Sequence, residues 1–176
     1  MLYELEGVQP QIAGDAWVAP DATVIGDVWL GSRSTIWFKT LVRGDTNRIR
    51  IGDRTNIQDG CILHVNPGEA WVCTVGNDVT VGHAAIIHAC ALQDGAFVGM
   101  GATVLDGAVI ESGGMLAAGG LLTPGKRIPA GELWGGSPAR KMRVIPPEDR
   151  ANLDAIAVHY AALGARYREG LKPLKQ

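Results

Sequence analysis

Three of the chain's four histidines, His64, His83 and His88, fall within 25 residues of one another in a chain of 176. Neutral imidazoles bind transition metals, and three of them with an open fourth position form the donor set of a catalytic zinc site, where the ion draws the pKa of bound water toward neutrality. Iron, cobalt and nickel accept the same donors, so the set does not name its metal. No HxxxH or HExxH pattern is present, and surface or interface histidines satisfied by ordinary hydrogen bonds are the competing reading. Spacing alone leaves both open.

The segments that must position these histidines carry a period. An aliphatic residue recurs every six positions through Val18, Val24, Leu30, Ile36 and Val42, and again through Ile51, Ile57 and Leu63. It resumes at Val75, Val81 and Ile87, then runs from Val98 through Val104, Ile110, Leu116, Leu122 and Ile128 to Trp134. A helix repeats at 3.6 residues, so the period points elsewhere. Small residues follow the aliphatics, as in IGDRTN, VGNDVT and VGMGAT, which reads as a short strand and then a corner. Each rung sends one aliphatic inward, three rungs close a coil of about 18 residues as in hexapeptide-repeat proteins, and stacked coils pair as parallel strands. The period is silent on handedness, and ordinary parallel crossovers are right-handed. Pro146-Pro147 ends the pattern, and Glu148 and Asp149 open a segment with Leu153, Ile156, Tyr160, Leu163 and Tyr167 at helical spacing. The expected organisation is a β-helical metal-binding domain over 1–146, a helix over 147–168 lying on the outside of its own or a neighbour's β-helix, and a tail over 169–176.

The repeat also assigns a direction to each histidine. His64 follows the inward Leu63 and His88 follows the inward Ile87, so both point outward. Their separation of 24 is one coil plus six residues, and the slip around Val65–Glu69 can absorb the six. Both imidazoles then share a face in adjacent coils. His83 sits one place further along its rung and five residues before His88, with a corner between; an odd separation in extended chain sends side chains to opposite sides. One chain is therefore not expected to close a three-histidine site. If His83 instead meets His64 and His88 of a neighbouring chain, the assembly is a closed ring with a heterologous interface, most simply a trimer.

Composition narrows the partners. Sixteen basic against 18 acidic residues make no basic field, so neither nucleic acid nor an anionic membrane is an expected partner, whereas a small-molecule substrate is. No apolar run reaches the 18 or so residues of a membrane span. The segment MLYELEGVQPQIAGD is acidic where a signal peptide is basic, and Cys61, Cys73 and Cys90 cannot all pair and form no CxxC. These features lead us to expect a cytoplasmic protein with reduced, buried thiols.

The histidines together with LVRGD (41–45), NIQDG (56–60) and the stretch from VGMGATVLDG to GGSPAR (98–140) resemble the γ-class carbonic anhydrase family over nearly the whole chain. The bacterial branch found in phenylacetate and carnitine operons is the most similar. The SPAR ending is shared with hexapeptide-repeat acyltransferases; RGD, QDG and three matching histidines together are specific. The resemblance implies an all-β fold, a left-handed parallel β-helix of hexapeptide repeats with a C-terminal α-helix packed on its side. It implies a homotrimer that interconverts carbon dioxide and bicarbonate, with Zn2+, or Fe2+ or Co2+ in its place, held by His64, His88 and the adjacent subunit's equivalent of His83. Arg43, Asp45, Gln58 and Asp59 fall on the family's arginine, aspartate, glutamine and aspartate. Arg43 can pair with a carboxylate such as Asp59 across the interface or hold bicarbonate, and Gln58 can orient a reactant through one hydrogen bond. Arg43, Asp45 and Asp59 read equally well as interface ion pairs that fix register. Thr46 follows Asp45 where the family's best-known member has glutamate, and that member's acidic insertion is absent, which leaves Glu69 as the proton-shuttle candidate or a solvated loop charge. Tyr160 matches the family's active-site tyrosine, but Ala162 replaces an asparagine, and Tyr160 also reads as a core-facing helix residue; the adjacent His159 reads as structural or exposed. Two other functions share the fold: an acyltransferase or acyl-CoA thioesterase, and a non-catalytic, metal-stabilised trimeric scaffold.

Overall fold

The computed structural model describes residues 1–174. The chain is a left-handed parallel β-helix of hexapeptide repeats with one long α-helix against its side. Three faces run along it. Ile62–His64, Ile86–His88, Thr103–Val104 and Leu121–Leu122 stack on the first, and Cys73–Val75, Ala91–Leu92, Val109–Ile110 and Arg127–Ile128 on the second. Thr23–Leu30 and Leu41–Ile51 bend around the corner between these faces, so both belong to one 12-stranded sheet. The third face is a sheet of 8 strands, from Trp17–Val18 to the Glu132–Gly136 end.

Register follows the inward aliphatics. Val24, Val42, Leu63, Ile87, Val104 and Leu122 are successive partners down the first face, and Val42, Leu63, Ile87 and Val104 are fully buried. The spacing is not constant. One insertion lies within Leu41–Ile51, and a second follows His64 and makes the 3-10 turn Glu69–Trp71. A one-residue deletion follows His88: Leu92 is the inward residue, pairing with Val75 and Ile110, although a strict six-residue count from Ile87 passes it by. A second, smaller inward position lies two residues before each aliphatic, and Cys61, Cys73 and Cys90 occupy it at 0%, 0% and 3% exposure. Burial pushes the Cys61 thiol up to about 12. A hydrogen bond with Cys73, together with burial, raises that of Cys90. The thiols of Cys61 and Cys90 thus stay protonated at neutral pH, and all three cysteines serve as core fillers. Close coil stacking also demands glycine in places: a Cβ on Gly99 would lie 2.3 Å from the Ala118 nitrogen.

The parallel ladder stops earlier than the prolines suggest. Glu132–Gly136 turns back and pairs antiparallel with Ala139–Val144, so the last rungs before Pro146 are a hairpin. The helix spans Pro147–Gly170, with Glu148 and Asp149 in its first turn. It reaches two residues past 168, so 169 and 170 are helical; 175 and 176 of the expected tail lie outside the described residues. The helix packs on its own chain, against Trp17–Val18, Thr35–Ile36 and Asn56–Ile57. Its buried residues are Ala157, Ala161 and Gly164, small enough to let it lie close: a Cβ on Gly164 would sit 2.3 Å from Thr35 Cγ2. Tyr160 and Tyr167 flank this seam and meet Trp37 edge-on at 5.3 and 5.0 Å.

Because each coil depends on its neighbours for burial, Leu116→Ala, at a fully buried inward position, should cost about 2–5 kcal/mol in urea unfolding. Val158→Ala, at 62% exposure on the helix, should change stability by no more than about 0.5 kcal/mol.

Candidate metal centre

Arg43, His64 and His88 stack in direct register on three consecutive coils, each one place after an inward aliphatic. His64 Nδ1 lies 3.0 Å from His88 Nε2. The remaining ring nitrogens face carboxylates: His64 Nε2 is 3.1 Å from Asp45 Oδ1, and His88 Nδ1 is 2.5 Å from Asp106 Oδ1. An ionised carboxylate only accepts, so the proton of His64 sits on Nε2 and that of His88 on Nδ1. The two nitrogens that face each other then both present lone pairs. Two acceptors at 3.0 Å repel, and a cation bound by both relieves the repulsion. Carboxylate-bound imidazoles with converging lone pairs are the arrangement that transition metals take, so these residues fit such an ion.

His83 sits in the turn between Thr80–Val81 and Ile86–His88, with Nδ1 2.8 Å from Asp59 Oδ2. With Nδ1–H directed at that carboxylate, Nε2 keeps the free lone pair. Each of the three histidines thus has its own aspartate. Among the described residues of one chain, however, no group of three or more His, Cys, Asp or Glu side chains is arranged to hold an ion. The structure brings together Arg43, Asp45, His64 and His88, and separately Gln58, Asp59, His83 and Tyr160. Within the chain Arg43 pairs with Asp45. Ala84 and Ala89, the residues after His83 and His88, hold φ of 59° and 44°, the left-handed corner conformation that Arg33, Lys39, Arg54 and Asp78 and the corner glycines of the repeat also adopt.

Charge supports the neutral form of His64. Burial, together with the positive Arg43, lowers its pKa against the opposing pull of Asp45. Burial works against the Asp45 carboxylate, yet hydrogen bonds from Arg43 and His64 outweigh it and hold its carboxyl below the usual range.

The second cluster borders a cleft of about 530 Å3 between the β-helix and the C-terminal helix, with Gln58, His83, Phe97, Met100, Ile156 and Tyr160 among its walls. Gln58 is only 5% exposed, and its amide is oriented. Asn56 spends its NH2 on Thr80 Oγ1 at 2.9 Å and the Val79 carbonyl at 3.3 Å, and its Oδ1 accepts from Gln58 Nε2 at 3.0 Å. Gln58 Oε1 is left as an acceptor. Burial and the negative Asp59 raise the Tyr160 pKa, so its hydroxyl remains a donor at neutral pH. His159 is exposed beside it. Glu69 is exposed on its turn, and no described hydrogen bond joins it to a histidine.

Asp106 and Asn56 are not among the residues that the sequence singles out. Asn56 has one signal, since in NIQDG it lies two places before Gln58 and faces the same side of its strand. For Asp106 the signal is its place in the corner just after Val104, which stacks on Ile87, one coil beyond His88.

Fold and site together define a hexapeptide-repeat protein with three aspartate-bound histidines suited to a transition metal. The chain is 45% identical over 170 residues to γ carbonic anhydrase 1, mitochondrial, of Arabidopsis thaliana, covering 94% of this chain and 62% of that protein. It is 40% identical over 168 residues to a carbonic anhydrase of Geobacillus kaustophilus, covering 96% of this chain and 91% of that one. The chain belongs to the γ-class carbonic anhydrase family. It spans less than two thirds of the length of the Arabidopsis relative. A solved hexapeptide transferase family protein from Anaplasma phagocytophilum superposes with a TM-score of 0.90 at 44% identity, covering 94% of this chain and 97% of that one. No protein-family model matches the chain.

A histidine with a depressed pKa binds its proton more tightly in the unfolded chain, so His64 contributes stability that is present above about pH 6.5 and lost as pH falls toward its folded value. Metal-free protein should lose urea stability between about pH 7.5 and 5.5, and His64→Gln should flatten that slope; the comparison of midpoints across pH checks it.

Proposed function

We propose that the chain catalyses the reversible hydration of carbon dioxide to bicarbonate as a homotrimer, with a divalent metal ion shared between neighbouring subunits. The observation that carries this reading is the 3.0 Å approach of His64 Nδ1 to His88 Nε2 with each ring's other nitrogen on a carboxylate, and a third aspartate-bound histidine on a different part of the same chain. His64 and His88 of one subunit and His83 of the next would hold Zn2+, or Fe2+ or Co2+, which suit the same donors. Such an ion supplies the Lewis-acid charge that brings water to its deprotonated, nucleophilic form near neutral pH.

The protein's own groups supply the rest. Gln58 Oε1 accepts a hydrogen bond and so fixes the orientation of the attacking oxygen. The apolar walls of the cleft, Phe97, Met100 and Ile156, admit a neutral, linear substrate at little cost in desolvation. Arg43 balances the charge of bicarbonate or pairs with Asp59 of a neighbouring subunit. Asp45 and Asp59 orient His64 and His83, Tyr160 donates from the cleft wall, and Glu69 can hand the released proton to solvent from its exposed turn.

Exposed apolar side chains around both half-sites support the trimer. Ile62 and Ile86, two places before His64 and His88 and on the same side of their strands, are 42% and 38% exposed; Met100, near His83, is 59% exposed. An interface core covers such groups. Acyl transfer on this fold needs only one histidine base, and three histidines each locked by a carboxylate serve a metal better. Among the described residues no helix is long and apolar enough to cross a membrane, and free buried thiols suit the cytoplasm.

Stopped-flow carbon dioxide hydration, with metal content measured in parallel, tests the reading. Metal-loaded protein should hydrate carbon dioxide well above the buffer rate, and His83→Ala should lose bound metal and at least roughly 100-fold in rate. A metal-loaded sample no faster than buffer contradicts the proposal. Reassembling His64→Ala with His83→Ala subunits should restore one intact site in each mixed trimer, whereas a site built within one chain gives no recovery.

A further inference from the structure

We infer that Asp106 is a positioning residue that keeps the proton of His88 away from the metal position, and that the insertion after His64 exists to deliver Asn66, which holds Asp106 in place. The inference rests on the metal-site reading above. Asp106 lies in the turn between Thr103–Val104 and Val109–Ile110, one coil beyond His88. One of its oxygens faces His88 Nδ1 at 2.5 Å, and the other accepts from Asn66 Nδ2 at 3.0 Å. Asn66 is itself fixed by the backbone around it. Asn47 Nδ2 donates to the Asn66 carbonyl at 3.0 Å and to the Gly68 carbonyl at 2.7 Å, which pins the insertion to the strand Leu41–Ile51.

The need for such a device follows from the His64–His88 contact. At 3.0 Å the two facing nitrogens can satisfy each other if either carries a proton, and that imidazole–imidazole hydrogen bond would stand where the ion must bind. Asp45 removes the proton from one side by drawing it to His64 Nε2. Asp106 removes it from the other side by drawing it to His88 Nδ1. Without Asp106, His88 is free to take the other tautomer, donate from Nε2 to His64 Nδ1, and close the site on itself. The Asp106 carboxylate therefore orients His88 and also blocks a competing hydrogen bond.

The test combines imidazole 15N NMR of metal-free protein with competition measurements of zinc and cobalt(II) affinity. Wild-type His88 should be protonated on Nδ1. Asp106→Ala should move that proton to Nε2 and weaken metal binding by roughly 10- to 100-fold. Asp106→Asn, whose carbonyl oxygen still accepts from His88 once Asn66 turns its amide, should keep the wild-type tautomer and most of the affinity. Asn66→Ala should move both readouts in the direction of Asp106→Ala by a smaller amount, and it carries the test if Asp106→Ala does not fold. An unchanged His88 tautomer together with unchanged metal affinity in Asp106→Ala overturns the inference. Wild-type protein that binds neither ion overturns the metal reading instead, while the tautomer of metal-free Asp106→Ala still decides the role of Asp106.

Discussion

Backbone hydrogen bonding between coils is the constraint from which the site follows. Parallel strands about 4.8 Å apart place equal rung positions above one another, and here the column after the inward aliphatic of the first face reads Arg43, His64, His88. A slip of one residue would turn a whole strand over and bury its imidazoles. Changes in length are accordingly confined to places where they leave the column intact. The longer insertion loops out after His64, and the one-residue deletion falls after His88, at the corner held by Ala89 with its φ of 44°.

Stacking brings two imidazoles together, and carboxylates decide what that pair can do. Left alone, adjacent histidines would hydrogen-bond to each other. Asp45 and Asp106 each take one proton outward, so that the inner nitrogens are poor partners for one another and good ones for a cation. Asp59 does the same for His83 on a separate corner. On the proposed reading these are two half-sites of one metal centre, each bordered by exposed apolar side chains, and the ring geometry of a trimer is the simplest way to join them.

Much of this is legible in the sequence because the β-helix writes its core as one large aliphatic per six residues, and the histidine positions follow from counting between them. The fold class and the outward direction of His64 and His88 come from that count, while handedness came with the family resemblance. The count fails where length changes by a single residue, which is why Leu92 escapes it. It also runs too far at the end, since ELWGG and ARKMRV keep the composition of rungs while pairing as a hairpin. The helix seam is carried by Ala157, Ala161 and Gly164, small residues that add nothing to a search for large apolar ones. Asp106 and Asn56 act only through His88 and Gln58, so they carry no motif of their own and become visible only when coils far apart in sequence are stacked.

X-ray absorption spectroscopy of zinc-loaded protein, which counts the imidazoles around the ion, addresses the shared site most directly. Three imidazoles per zinc in the wild type and two in the residual zinc of His83→Ala are the expected result. Two or fewer in the wild type, or a count unchanged by His83→Ala, would contradict a site completed by the neighbouring subunit's histidine.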